Sequence, residues 1–257
     1  MSHTANAPKT EPFRSRLDRE VATGLAATEY QRFADLLESL EPDHWTLPTN
    51  CPGWTVRDMA GHCLGMAQMA ATVREMIRQQ LASARAAKKS GRPLIDELTD
   101  LQLRKNAGLT PEELVAAYRR TGPKAAAGRR RTPGFVRSRT MTDTGPDGNS
   151  QELWEVSYVV DTILTRDPWM HRADIAEATG LPMTLSADHD GLIVADAVAD
   201  WANRHGQPFE LTLTGPAGGT WSEGMGGESI TADAVEFCMG VSGRGTTQGL
   251  ASVFVPF

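Results

Sequence analysis

The chain has 257 residues, 40% of them hydrophobic and 23% charged, an ordinary composition for a globular protein that can bury a core. Its net charge of −6 argues against nucleic acid as the main partner, and no apolar run approaches the roughly 20 residues that cross a bilayer. The 3 cysteines include no CxxC pair, which argues against a disulfide framework and for a reducing cytoplasm as the location; no membrane partner is expected.

In chain order, residues 1–12 are small and polar and read as a disordered tail rather than a signal peptide. From Leu17 to Leu40, apolar residues recur every three or four positions (Leu17, Val21, Leu25, Phe33, Leu37, Leu40), as an amphipathic helix requires. Pro48 and the Pro52-Gly53 turn pair break the pattern. A second helix then starts at Thr55, with Asp58 completing a capping box and Trp54 placed to staple onto Met59. Its apolar face continues through Leu64, Met69, Val73, Met76 and Ile77 towards Leu81, and the basic stretch that follows exits at Gly91 and Pro93. Pro111 opens a third helix, with Glu112 and Glu113 in its first turn and Arg119 and Arg120 further on, the order of charge that suits the helix dipole.

From Arg129 to Ser150 the chain is basic and then rich in Gly, Pro and Asp, which reads as a long loop. A fourth helical pattern runs from Trp154 to Thr179 and stops at Gly180. Four helices with two long connections predict a bundle over 13–182. Over 183–257 the character changes. A helix at Asp190–His205, a strand at Phe209–Thr214, a glycine-rich stretch at Gly215–Gly227, a short helix at Thr231–Val241 and a strand at Leu250–Val255 predict a small α+β domain.

The run Asp167-Pro-Trp-Met-His171 sets a carboxylate and an imidazole four residues apart, stacked on one helix face. Asp174 follows on the same face, placed to hold the second ring nitrogen of His171 or to stand nearby as a charge. Such a pair also occurs as an exposed helical ion pair. His62 sits in the second helix among Met, Leu and Ala, where a lone histidine is commonly a hydrogen-bonded core residue. If the bundle sets it opposite the fourth helix, two histidines and one carboxylate form a metal site with a position left open, as in catalytic rather than structural centres. Pro168 either begins that helix afresh or kinks it and aims Asp167 inwards.

Two blocks, Cys51-Pro-Gly-Trp-Thr-Val-Arg-Asp58 followed by His62, and Arg166-Asp-Pro-Trp-Met-His-Arg-Ala-Asp174, resemble the mycothiol-dependent maleylpyruvate isomerase family of the DinB-like metalloprotein superfamily. The tail, with Leu213-Thr-Gly-Pro-Ala-Gly-Gly-Thr-Trp221, Ser242-Gly-Arg244 and Val255-Pro-Phe257, is similar to the family's C-terminal domain. The resemblance spans nearly the whole chain from Phe13. It implies a DinB-like four-helix bundle followed by a small α+β domain, and a divalent metal, zinc by preference, on His62, Asp167 and His171. The family also places Glu at the acidic position; aspartate is one methylene shorter. The resemblance further implies an arginine that grips a substrate carboxylate, matched here by Arg244.

The activity so implied uses mycothiol, a low-molecular-weight thiol, on a small unsaturated or electrophilic acid. The thiol adds to the double bond, the resulting single bond rotates, and elimination returns the trans isomer; a thiol S-transferase is the companion reading. The protein is expected to act as a monomer or homodimer and to need no nucleophile of its own, so Cys51, Cys63 and Cys238 read as structural. Two other classes stay open: a thiol-independent metalloenzyme (a hydrolase or a cyclase of secondary metabolism) and a non-catalytic metal- or thiol-binding module. The first predicts a pocket too small or too apolar for a sugar-linked thiol, and the second predicts that Arg244 lies far from the metal and is dispensable.

Overall fold

The structure, a computed structural model, describes residues 11–144 and 151–257. The expected tail over 1–12 therefore falls mainly outside the described residues. By compactness the chain forms two units, each discontinuous in sequence.

The first unit comprises Arg19–Thr132 and Asp167–Met183. It holds α1 (Arg19–Glu38), a 3-10 turn at Pro42–Thr46, α2 (Val56–Ala71), α3 (Val73–Ser90), α4 (Leu94–Asn106) and α5 (Pro111–Arg131). The chain returns to it in the longer part of the helix Leu164–Thr179, numbered α8 below. Val56, Met59, Leu64, Leu114, Tyr118 and Ile175 share one core with α1 residues such as Phe33 and Leu37. The four helices α1, α2, α5 and α8 are those expected of the bundle.

The capping box at the start of α2 forms as anticipated. The Thr55 hydroxyl accepts from the Asp58 amide (3.3 Å), and the Thr55 amide donates to the Asp58 carboxylate (2.9 Å). A second box, Thr110 with Glu113, starts α5. Two expectations fail between them. The helix does not run on from Thr55 to Leu81: Thr72 adopts an extended conformation and its hydroxyl caps Glu75, so α3 starts anew with a different face inwards. The segment after Gly91, which turns with φ +75° as a left-handed helix end, is also helical, as α4.

The second unit contains the chain up to Asp18, Pro133–Arg166 and Thr184–Phe257. Its elements are α6 (Gly134–Arg137), the hairpin β1 (Thr140–Thr144) and β2 (Gln151–Glu155), α7 (Val156–Tyr158), a π-helical turn at Val159–Ile163, the start of α8, then α9 (Asp190–His205), β3 (Phe209–Thr214), β4 (Gly219–Glu223), β5 (Glu228–Asp233) and α10 (Ala234–Val241). β3 lies central in a three-stranded sheet, antiparallel to β4 and parallel to β5.

This grouping departs from the continuous limits 13–182 and 183–257, because Pro133–Arg166 packs with the C-terminal part. The cause is a buried charge network. Arg166 donates to Asp196 (2.7 Å) and Asp200 (2.9 Å), Tyr158 donates to Asp200, and Arg204 joins Asp200 to Glu152. Buried charges persist when each is matched in this way.

The expected loop Arg129–Ser150 is likewise shorter. Arg129 is buried at the end of α5 with its guanidinium over Tyr30, and Arg137 pairs with Asp161. Part of the expected fourth helix is strand β2. The expected helix Thr231–Val241 is a strand up to Asp233, whose carboxylate then caps α10 through Val235 and Glu236. The expected final strand Leu250–Val255 is a 3-10 turn (Gly249–Ser252) followed by residues that join no strand among the described residues. Its backbone groups bond elsewhere: the Leu250 amide donates to Glu228, the Leu250 carbonyl accepts from Trp201, and the Val255 amide donates to Val241.

Candidate metal centre

Three elements of the first unit build the site. α2, fixed by its capping box, presents His62 on its buried side. α8 presents Asp167 and His171 one turn apart, and the Pro52–Thr55 turn presents Trp54. Pro168 lies inside α8, five residues after a π-helical turn at Val159–Ile163 that leads directly into the helix.

Nε2 of His62 lies 3.4 Å from Oδ1 of Asp167, and Nε2 of His171 lies 3.6 Å from the same oxygen. One donor atom from each of the three side chains falls within 4.8 Å of the other two. The three residues singled out from sequence are therefore brought together. Separations of this size are long for direct hydrogen bonds; two imidazoles and a carboxylate converging on one point suit a cation instead.

Behind His171, Oδ2 of Asp174 lies 2.9 Å from Nδ1. This resolves the alternative left open for Asp174: it holds the ring nitrogen. The hydrogen bond fixes a proton on Nδ1 and turns Nε2 towards Asp167, the arrangement that orients metal-bound histidines. Nδ1 of His62, by contrast, is buried and has no hydrogen-bond partner among the described residues.

The charges are strongly coupled. Burial alone would raise the pKa of Asp167, but the two imidazoles outweigh it and hold the carboxyl far below the ordinary range. Burial would likewise depress His171, yet the carboxylates of Asp167 and Asp174 push it up to about 9.

Two neighbours went unread as site residues. Trp54, expected to staple α2, stands with its ring centroid 5.2 Å from His62 and 6.2 Å from His171, and walls both imidazoles. Its place directly before the cap was the available signal. Cys51, read as structural, offers a sulfur within 4.8 Å of donor atoms on both His171 and Asp174, so it flanks the bond that orients His171. Cys63 does face away from the set: it is buried in the core, and burial together with the charges of Asp167 and Asp174 drives its pKa well up.

Arg244 belongs to the second unit. It follows α10 in a turn with Gly243 at φ +84°, its amide donating to Met239 (2.9 Å) and its guanidinium to Ser242 (3.2 Å). His189 and His205 sit at the two ends of α9, and Trp154 and Trp169 are buried. The second unit also has a cavity of about 700 Å³ lined by Tyr158, Arg166, Asp196 and Asp200. Those groups neutralise one another and form no comparable donor set.

The chain is 29% identical over 220 residues to the uncharacterized proteins Rv0036c and MT0041 of two Mycobacterium tuberculosis strains, covering 81% of this chain and 79% of each of theirs. Its fold matches two crystal structures of the mycothiol-dependent maleylpyruvate isomerase, one of them a mutant. Their TM-scores are 0.53 and 0.52 at 15% identity, over 89% of this chain and 90% of theirs. Residues 26–176, more than half of the sequence and spanning both helices of the donor set, match the model of the mycothiol maleylpyruvate isomerase N-terminal domain, and the chain belongs to that family.

Proposed function

We propose that the protein is a metal-dependent enzyme that uses mycothiol on a small unsaturated or electrophilic acid, as a cis–trans isomerase of the maleylpyruvate type or a thiol S-transferase. The observation that supports this most is the convergence of His62, Asp167 and His171 with Asp174 behind them.

A divalent ion on those three side chains, zinc by preference of the donors, would favour thiolate over thiol at an open position. The remaining roles fall to the chain. Asp174 keeps His171 in the tautomer that leaves Nε2 unprotonated, and Trp54 shields the imidazoles from water. Arg244 is assigned the substrate carboxylate by its match to the family's arginine, and a bidentate grip on that carboxylate would orient the acid. Cys63 and Cys238 are buried with raised pKa values and do not act as nucleophiles.

The test is calorimetric titration of the metal-loaded protein with mycothiol, followed by turnover assays on maleylpyruvate and on a panel of electrophiles. The wild type is expected to bind the thiol, His171→Ala not to bind it, and Arg244→Ala to bind it but turn over slowly. Metal-loaded wild type that ignores mycothiol would overturn the thiol reading in favour of a water-activating metalloenzyme.

A further inference from the structure

Helix α3 is turned inside out. Its inner face carries Gln79 and Ser83, 0% and 1% exposed. Gln79 donates to the Gly65 carbonyl (3.1 Å) and accepts from Gln102 (3.0 Å), so polar groups fill the seam where α2, α3 and α4 meet. The apolar residues face outwards. Val73, Ile77 and Leu81 are 68%, 50% and 51% exposed, and their spacing of four places them in one stripe. Met76 stands beside the stripe, and Leu94 and Ile95 are exposed at the start of α4. The restart at Thr72 produces this, by rotating the periodic face out of the core.

The flank of the stripe is cationic. Arg78 is held by Glu75, and Arg92 by Asp100. Arg74, Arg85, Lys88 and Lys89 are exposed and have no carboxylate partner among the described residues. At about 100° per residue, Arg74 and Arg85 share one side of the stripe and Lys88 continues its line. Four uncompensated positive charges on one helix are conspicuous in a chain of net charge −6.

We propose that this face of α3 docks peripherally on an anionic phospholipid bilayer. The aliphatic stripe would enter the boundary between headgroups and acyl chains, and the four cations would meet the phosphates. Charge complementarity selects this occupant. A second copy packed antiparallel on the stripe would set the cationic flank against itself. α3 contains no Trp, Tyr or Phe, the aromatic anchors on which protein interfaces rely. No helix among the described residues is long and apolar enough to cross a membrane; docking of this kind needs none, and it is independent of the metal site.

Flotation of the full-length protein with vesicles of phosphatidylcholine alone, and of phosphatidylcholine with phosphatidylglycerol, tests the proposal. Binding is expected only to the anionic vesicles and is expected to weaken as NaCl rises. Arg85→Ala and Lys88→Ala should each lower it about fivefold, and Ile77→Ser combined with Leu81→Ser should abolish it. These side chains are exposed, so unchanged circular dichroism and metal content would show that the fold is intact. Absence of binding to anionic vesicles would overturn the proposal, as would binding indifferent to these substitutions. So would sedimentation showing a dimer that the double substitution dissolves while vesicle binding stays unchanged.

Discussion

Oδ2 of Asp174 lies 2.9 Å from Nδ1 of His171, three residues earlier on the same helix. The ring is thereby held with its other nitrogen facing Asp167. Replacing a carboxylate in this role weakens metal affinity about 10–100-fold without removing a ligand. Asp174→Asn is therefore expected to keep the fold and to bind metal 10–100-fold more weakly, as read by competition with a chelator. Unchanged affinity would mean that Asp174 does not orient the site.

A second carboxylate supports α8 differently. Glu29 on α1 accepts from both Nε (2.7 Å) and Nη2 (3.1 Å) of Arg172, and both side chains are buried. Removing one partner of such a pair strands the other charge and costs about 3–5 kcal/mol. Glu29→Ala should lower the urea midpoint accordingly, and Glu29→Ala combined with Arg172→Met should recover part of the loss.

Only the Asp167–His171 pair is readable from local pattern; that His62 joins it is conditional on the bundle and comes from the family resemblance. Asp167 and His171 share a turn, and His62 follows a capping box that starts its helix at Thr55. Long-range packing was not readable. Nothing in the composition of 85–106 announces that Thr72 restarts the helix and that the chain doubles back as α4. Leu250–Val255 has the residues of a strand, but its backbone groups are taken by Glu228 and Trp201. Trp54 and Cys51 were assigned to a turn, and only the folded chain sets them beside His171.

The thiols supply a third prediction. Burial raises the pKa of Cys63 well above its usual value, an effect the charges of Asp167 and Asp174 reinforce, and burial pushes Cys238 up to about 12. Because the thiolate is the reactive form, both should resist a thiol reagent at pH 8. Cys51 alone is expected to label in the native protein, and all 3 cysteines after denaturation. Rapid native labelling of Cys63 would contradict the packing of α2.

In the proposed function Arg244 handles the substrate and takes no part in metal binding. Arg244→Ala should leave metal content and mycothiol affinity unchanged while lowering kcat/KM, by about 2–5 kcal/mol if the arginine pairs with a buried carboxylate. Equal turnover by wild type and variant would remove Arg244 from the reaction.

The most direct measurement is metal content by elemental analysis on the wild type and on His62→Ala, Asp167→Ala and His171→Ala, each checked for fold by circular dichroism. About one divalent ion per wild-type chain, and essentially none in the folded variants, is the predicted result. A wild type that cannot be loaded with any divalent ion, or variants that keep the wild-type stoichiometry, would contradict the assignment of the site.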